Sequence, residues 1–366
     1  MVMGLIRSLL AFIAITLLQS ACSEPSQNAT YQETASAETH STQTFARFDL
    51  KDSLSQQSVL SVLLPNGWSV ASSVYWEFRD TTAPLKYRLA ALNPLDTLER
   101  IDFYPSLAFI TSNNVSDNAT SVLRFSPVLP QTALDAIRNF LIPMFRPGIY
   151  DLRVVEQVPL SNIEPLDSTR SLLPRETGLV RVKYAVNGQM VEEIFFAVLR
   201  KVFRSPDGYN TVCEWHVEQA ASCRAREGSM DVQLPRLQTA MLSIRYDERW
   251  LVKHANMLTG RPSDTSRHRS TAAHLRLHRN LYQAARALTR YEHDIDYFVD
   301  KTGDFVALPG GYVRAWRSDA GMYVLSDATN YEPVETGSKW YEIKRVESLP
   351  ASGVYDPKGT YDPLGQ

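Results

Sequence analysis

The chain has 366 residues, 44% hydrophobic and 21% charged, which is enough apolar material for a sizeable core and excludes a disordered or collagen-like polymer. Lys and Arg number 38 against 40 Asp and Glu, a formal net charge of −2, so no global charge draws the protein to nucleic acid or an anionic membrane. With 16 Gly, 20 Pro and no self-similarity at a fixed period, solenoids and propellers are excluded as well.

At the N-terminus, Arg7 precedes the apolar run Leu9–Leu18 (LLAFIAITLL), followed by Gln19-Ser20-Ala21-Cys22. At about 1.5 Å per residue this run falls short of a ~30 Å hydrocarbon core, so residues 1–21 read as a secretory signal peptide and not a membrane span. The small pair Ser20-Ala21 directly before an early cysteine resembles the lipobox of bacterial lipoproteins, with Gln19 where that family usually has an aliphatic residue. The resemblance implies acylation (palmitate or a like chain) of Cys22 as the first mature residue. Ser23 after it resembles the choice made by lipoproteins sent to the outer membrane. An ordinary signal-peptidase cut nearby is the alternative. Several acyl chains hold a globule on a membrane, at ~0.8 kcal/mol per buried methylene, whereas one is marginal. Residues 23–44 carry no hydrophobic period and cannot offset their ordering entropy, so 22–44 is expected to be a lipidated, disordered tether.

From Phe45 to about Ser112 the segments FARFDL, VLSVLL, WSVASSVYWEF, YRLAAL and RIDFYPSLAFI read as strands of an antiparallel sheet. Leu134, Ile137, Phe140 and Leu141 recur at helical spacing, which predicts a helix over Pro130 to Phe145, stopped by Pro143 and Pro147. A strand follows at Leu152 to Val158. Asn187-Gly188 between Leu179–Val186 and Met190–Phe203 is the strongest hairpin signal in the chain. Leu237, Met241 and Ile244 suggest a helix over Leu234 to Leu258, interrupted near Tyr246-Asp247. The expected fold class is therefore α+β: an antiparallel β-sheet sandwich with packed helices over 45–260.

Cys213 and Cys223 lie ten apart. In an exported protein the even pair suggests a disulfide, worth about 2–3 kcal/mol in the chain-entropy picture, that staples a hairpin. Free buried thiols are the alternative. A redox dithiol would show closer spacing, and a zinc site would need ligands beyond His216.

The order of PNGWSVASSVYWEF, ERIDFYPSLAF, a helix, hairpins and MLSIRYDERW resembles uncharacterised exported bacterial proteins built on a PsbP-like α/β sandwich, over roughly 45–260. Those proteins often continue into a helix and a small closing segment, here GYVRAWRSDAGMYVLSDATNYEP and KWYEIKRV. The resemblance implies a fold and an export route, and no catalytic residues.

The remaining unit, 261–346, is expected to be a long helix near 265–292 and a small C-terminal β segment. On that helix Leu277, Leu281, Ala284, Ala285, Leu288 and Tyr291 share one face, and Arg276, Arg279, Gln283, Arg286 and Arg290 the other. The arginine row is either a solvated face or an anion-binding surface, since rigid forked donors suit carboxylate and phosphate. His274 and His278, one turn apart, are candidate zinc ligands that would need further partners, and two boundary histidines half-covered by the core are the simpler reading. Asp294, Asp296, Asp300 and Asp304 look like calcium ligands but do not match the EF-hand spacing. No nucleophile elbow, phosphate-binding loop or dinucleotide fingerprint is present. Trp68, Tyr75, Trp76, Tyr104, Trp316, Tyr323, Tyr331, Trp340 and Tyr341 read mainly as core, with a small aromatic surface expected between Val306 and Val346. Residues 347–366, with two YDP copies, are expected to be a disordered tail.

These readings favour an envelope lipoprotein, anchored in the outer membrane and facing the periplasm, that binds an envelope protein or cell-wall polymer without catalysis, cofactor or nucleic acid. The rival is a hydrolase of envelope polymers using dispersed carboxylates.

Overall fold

The computed structural model describes residues 41–53, 55–77, 85–112, 123–163, 175–204, 211–247, 249–250, 295–334 and 337–347. The expected signal peptide, Cys22, residues 23–40 of the tether, the segment 265–292 and the tail from 348 lie outside them. In chain order the strands are β1 (Thr42–Lys51), β2 (Ser58–Pro65), β3 (Ser69–Trp76), β4 (Leu85–Leu92), β5 (Arg100–Tyr104), β6 (Leu107–Ser112) and β7 (Arg124–Phe125). A short helical segment, α1, runs through Ala133–Ala136, Ile137–Leu141 and Ile142–Phe145. Then come β8 (Arg153–Ile163), β9 (Arg175–Val186), β10 (Gln189–Arg204), β11 (Val212–Arg226), helix α2 (Met230–Ser243) and β12 (Arg245–Tyr246). The chain closes with β13 (Ile295–Val299), β14 (Phe305–Pro309), β15 (Arg314–Ser318), β16 (Tyr323–Ser326), β17 (Trp340–Glu342) and β18 (Lys344–Val346).

Three sheets result. The largest runs β3-β4-β5-β11-β10-β9-β8, with β6 also on β11 and the two-residue β7 parallel to β6. A second runs β12-β2-β1-β16-β15-β17, and a third β14-β13-β18. The α+β expectation of a sandwich with packed helices is thus corrected: the described residues are mostly strand, in antiparallel sheets, with one helix of 14 residues and the short α1, and the long helix expected near 265–292 falls outside them. The physical reason lies in β9, β10 and β11, strands of 12, 16 and 15 residues that are buried on both faces and so supply core to both layers flanking the large sheet. The helix expected over 234–258 with an interruption near Tyr246-Asp247 runs over Met230–Ser243, breaks where the chain enters a sheet at β12, and is helical again at Arg249 and Trp250, beyond which 251–258 lie outside the described residues.

One core layer fills the space between the large sheet and the β1/β2 sheet with α2, and includes Leu50, Val62, Leu64, Phe103, Phe196, Leu237 and Met241. The other face of the large sheet carries Val180, Val182, Phe195, Leu199 and Trp215 under Ile137 and Leu141 of α1. A third cluster joins Phe45, Leu63, Phe298, Leu308 and Leu325. Because β1 pairs with both β2 and β16, the sheet crosses the boundary expected at 260, and residues 42–44 of the expected tether are strand.

The hairpin at Asn187-Gly188 forms as its dipeptide dictates, with φ of 51° and 78° in a two-residue turn joining Val186 to Gln189. In α1 the capping box of Thr132 and Asp135 starts the helix. Its middle widens to π geometry just before Pro143, which has no N–H to return to the carbonyl four residues back. Pro143 therefore lies inside the segment and does not stop it. Gly178 on β9 lets α1 approach: a Cβ there would stand 2.9 Å from Leu134 Cδ2 and 3.2 Å from the Ala133 Cβ.

Candidate functional site

The two cysteines are not bridged: both thiols are free and buried. They lie on one strand, β11, and ten residues at ~3.3 Å each hold them far beyond the ~7 Å Cα limit of a disulfide. The hairpin that was to be stapled is instead a single long strand. Glu218 is an extra residue opposite Val198 and Leu199, and this bulge flips the side-chain alternation. Cys213 accordingly packs with the layer under α1, while Cys223 packs with the opposite layer, its Sγ 3.7 Å from Met230 Sδ. Burial, aided by Glu193, pushes the Cys223 thiol far above the ordinary thiol range.

The bulge also builds the largest buried polar constellation among the described residues. It places Ser222 on the α1 side of the sheet, beside Asp102 and Tyr104 of β5, Tyr184 of β9 and Glu193 of β10. Arg146, at the C-terminal end of α1, reaches down onto them. Its Nε donates to Glu193 Oε2 at 2.9 Å, and its Nη2 donates to Glu193 Oε1 at 2.6 Å and to Asp102 Oδ2 at 2.8 Å. Its Nη1 donates to the Phe145 carbonyl at 2.9 Å. Tyr184 Oη and Ser222 Oγ also donate to Glu193, at 2.5 and 2.6 Å. Since the Ser222 proton is used there, the Tyr104 hydroxyl is the donor in its 2.8 Å contact with Ser222 Oγ. Arg100 grips Asp102 in a fork at 2.5 and 2.6 Å.

Two arginines and two carboxylates therefore neutralise each other, and Asp102, Glu193 and Ser222 are 0% exposed. Burial acts to lower the basicity of Arg146, but the Glu193 and Asp102 charges outweigh it and hold the guanidinium protonated far above its usual range. Burial first, then the carboxylates, push the phenols of Tyr104 and Tyr184 well above theirs. Glu193 receives four hydrogen bonds, so it has no lone pair left to take a proton from a substrate. The arrangement ties α1 to residues of four strands, β5, β9, β10 and β11. It offers neither an open base nor an accessible nucleophile.

On the opposite side of the same sheet, Glu192 meets Arg181 and Lys183, and these cations outweigh the burial that opposes its ionisation, holding its carboxyl below the usual range. Lys86 on β4, 1% exposed, donates to Ser106 Oγ at 2.9 Å.

Other expected residues are placed as follows. Asp300 and Asp304 close the β13–β14 turn and both face Arg317, whose guanidinium stands where a bound cation was weighed. Trp316 is buried, with the Tyr331 ring edge-on at 5.3 Å and Arg314 over it at 4.7 Å, and Tyr323 is buried too. Half-buried Tyr331, Trp340 and Tyr341 are what remains of the expected aromatic surface. Arg276, Arg279, Arg286, Arg290, His274, His278 and Cys22 lie outside the described residues. Sequence reasoning missed the Arg146 cluster because its members are spread over 120 positions from Asp102 to Ser222. The one available signal is the pair Glu192-Glu193 directly before the apolar run Ile194–Leu199. No protein-family model and no curated protein sequence matches the chain.

Proposed function

We propose that the protein is an exported envelope lipoprotein, acylated at Cys22, that acts as a non-catalytic binding or assembly module for an anionic envelope component or partner protein. The observation that supports the non-catalytic part is the closure of its buried charges on one another: Glu193 and Asp102 are saturated by Arg146, Arg100, Tyr184 and Ser222. Hydrolysis by dispersed carboxylates calls for an acid held above its usual range. Among the described residues the carboxylates with a resolved displacement, Asp96, Glu192 and Glu342, are all held below it by arginine or lysine partners.

The envelope part rests on the Leu9–Leu18 run and Ser20-Ala21-Cys22, and the ligand chemistry on the Arg276, Arg279, Arg286 and Arg290 row. Crosslinking and pull-down from intact Gram-negative cells tests the reading. Wild type is expected to carry labelled fatty acid that Cys22→Ser loses, and to capture an envelope component that reversal of the four arginines to Glu releases. A soluble wild type cut at another residue, or an unchanged set of captured partners after charge reversal, would overturn it.

A further inference from the structure

The edges of the sheets are unequally protected. β8, one end of the large sheet, has two register breaks, Pro159, and the charged Arg153 and Glu156. β12 and β17 have two and three residues, β18 three, and β14 ends in Pro309. Such devices keep a row of unpaired N–H and C=O groups from accepting a foreign strand. β3, the other end of the large sheet, has none of them. Its eight residues, SVASSVYW, pair with β4 from Ser69↔Leu92 to Trp76↔Leu85 without a break and carry no charge and no proline. Among the described residues nothing pairs with its outer side. Ser69, Ala71, Ser72 and Ser73 are exposed, and Tyr75 is 44% exposed.

We infer that β3 is an interaction edge, and that its occupant is β3 of a second copy of this chain, paired antiparallel about a two-fold axis. A two-fold axis normal to the sheet keeps each face on its own side, so residues opposite each other have the same parity, centred on Ser72 or on Ser73. Centring on Ser72 sets Val70 opposite Val74 and Ser69 opposite Tyr75. The first pair prolongs a layer that already exists, because Val74 belongs to the core under this face and Val70 packs on it. Centring on Ser73 sets Ala71 opposite Tyr75. In either register no like charges meet, which is the condition that a strand must satisfy to pair with itself. A β-branched pair on the inner face and a serine-aromatic pair on the outer one make the edge self-complementary in chemistry as well as in its backbone.

Disulfide trapping of the full chain in cells tests this, since directly opposed residues of an antiparallel pair stand 4.5–5.5 Å apart at Cα, within disulfide reach. Ser72→Cys or Ser73→Cys, whichever marks the axis, is expected to give a covalent homodimer on mild oxidation. Wild type and Ser69→Cys are expected to give none, Ser69 being about 20 Å from its own symmetry mate in the Ser72-centred pairing. Adding Lys at the exposed neighbour of the trapping position is expected to cut the trapped fraction by up to about fivefold by placing two like charges diagonally across the axis. No homodimer at either centre, equal trapping at Ser69, or a product containing a different protein would each overturn self-pairing.

Discussion

At the scale of single residues, the molecule is governed by how its buried charges are paired. Arg146 is the one group that touches both Glu193 and Asp102; removing it leaves Glu193 with no counter-charge in a dry interior, while Asp102 keeps its fork to Arg100. Arg146→Met is expected to cost about 3–5 kcal/mol in urea unfolding. Glu193→Gln in the same chain should restore part of that, with a coupling of about 1–3 kcal/mol. Simple additivity of the two costs would mean that the pair is not made in solution. The displaced groups also set a pH window. Asp96, Glu192 and Glu342 titrate in the folded protein below their ordinary 3.8–4.5, so their stabilisation is present above that range and fades as pH falls through their folded values. Cys223, Tyr104 and Tyr184 titrate above their ordinary 9.0 and 10.0, so theirs is present below pH 9–10 and is lost as pH rises toward the folded values. The urea midpoint measured against pH should show a plateau between these limits, and Tyr184→Phe should flatten its alkaline side. An alkaline limb indifferent to Tyr184→Phe would contradict the assignment.

At the scale of elements, β11 explains both the main error of the sequence reading and the site it missed. Period-two alternation read straight through Cys213 and Cys223 puts both on one face, and a turn between them brings them together. Instead the segment is one continuous strand in which the extra residue Glu218, held by Arg175 and Arg200 at 2.6 and 2.7 Å, forms a bulge that inverts the second half. A bulge of this kind has no local signature in EQAA, since the arginines that hold Glu218 lie on two other strands. Thiol labelling of exported protein checks the result: native Cys213 and Cys223 are expected to be unreactive, and both to label in denaturant without prior reduction. A mass deficit showing a bridge between them would refute the strand. By contrast, the Asn187-Gly188 hairpin and the strands around VLSVLL and RIDFY were legible, because their turn residues and alternation act over a few neighbours. The helix at 130–145 was legible from its apolar spacing, but its π turn at Pro143 and its seat on Gly178 were not.

At the scale of the whole molecule, the expected division at 260 fails for a similar reason. The last strands complete a sheet begun at Thr42, and pairings such as Phe45↔Tyr323 span nearly the entire described chain. Such closure is a property of topology, and no residue between 45 and 260 announces that its partner lies 280 positions away. What the sequence carries most clearly about localisation, the short apolar run before Cys22, lies outside the described residues. The buried ion pairs support the proposal that the interior charges hold the fold while the protein acts by binding at its surface. Partner capture from intact cells, compared between wild type and Glu193→Gln and normalised to folded protein, tests that claim most directly. The account predicts the same captured components in the same amounts. Loss of capture by a folded Glu193→Gln protein, or release of soluble envelope fragments that depends on Glu193, would contradict it.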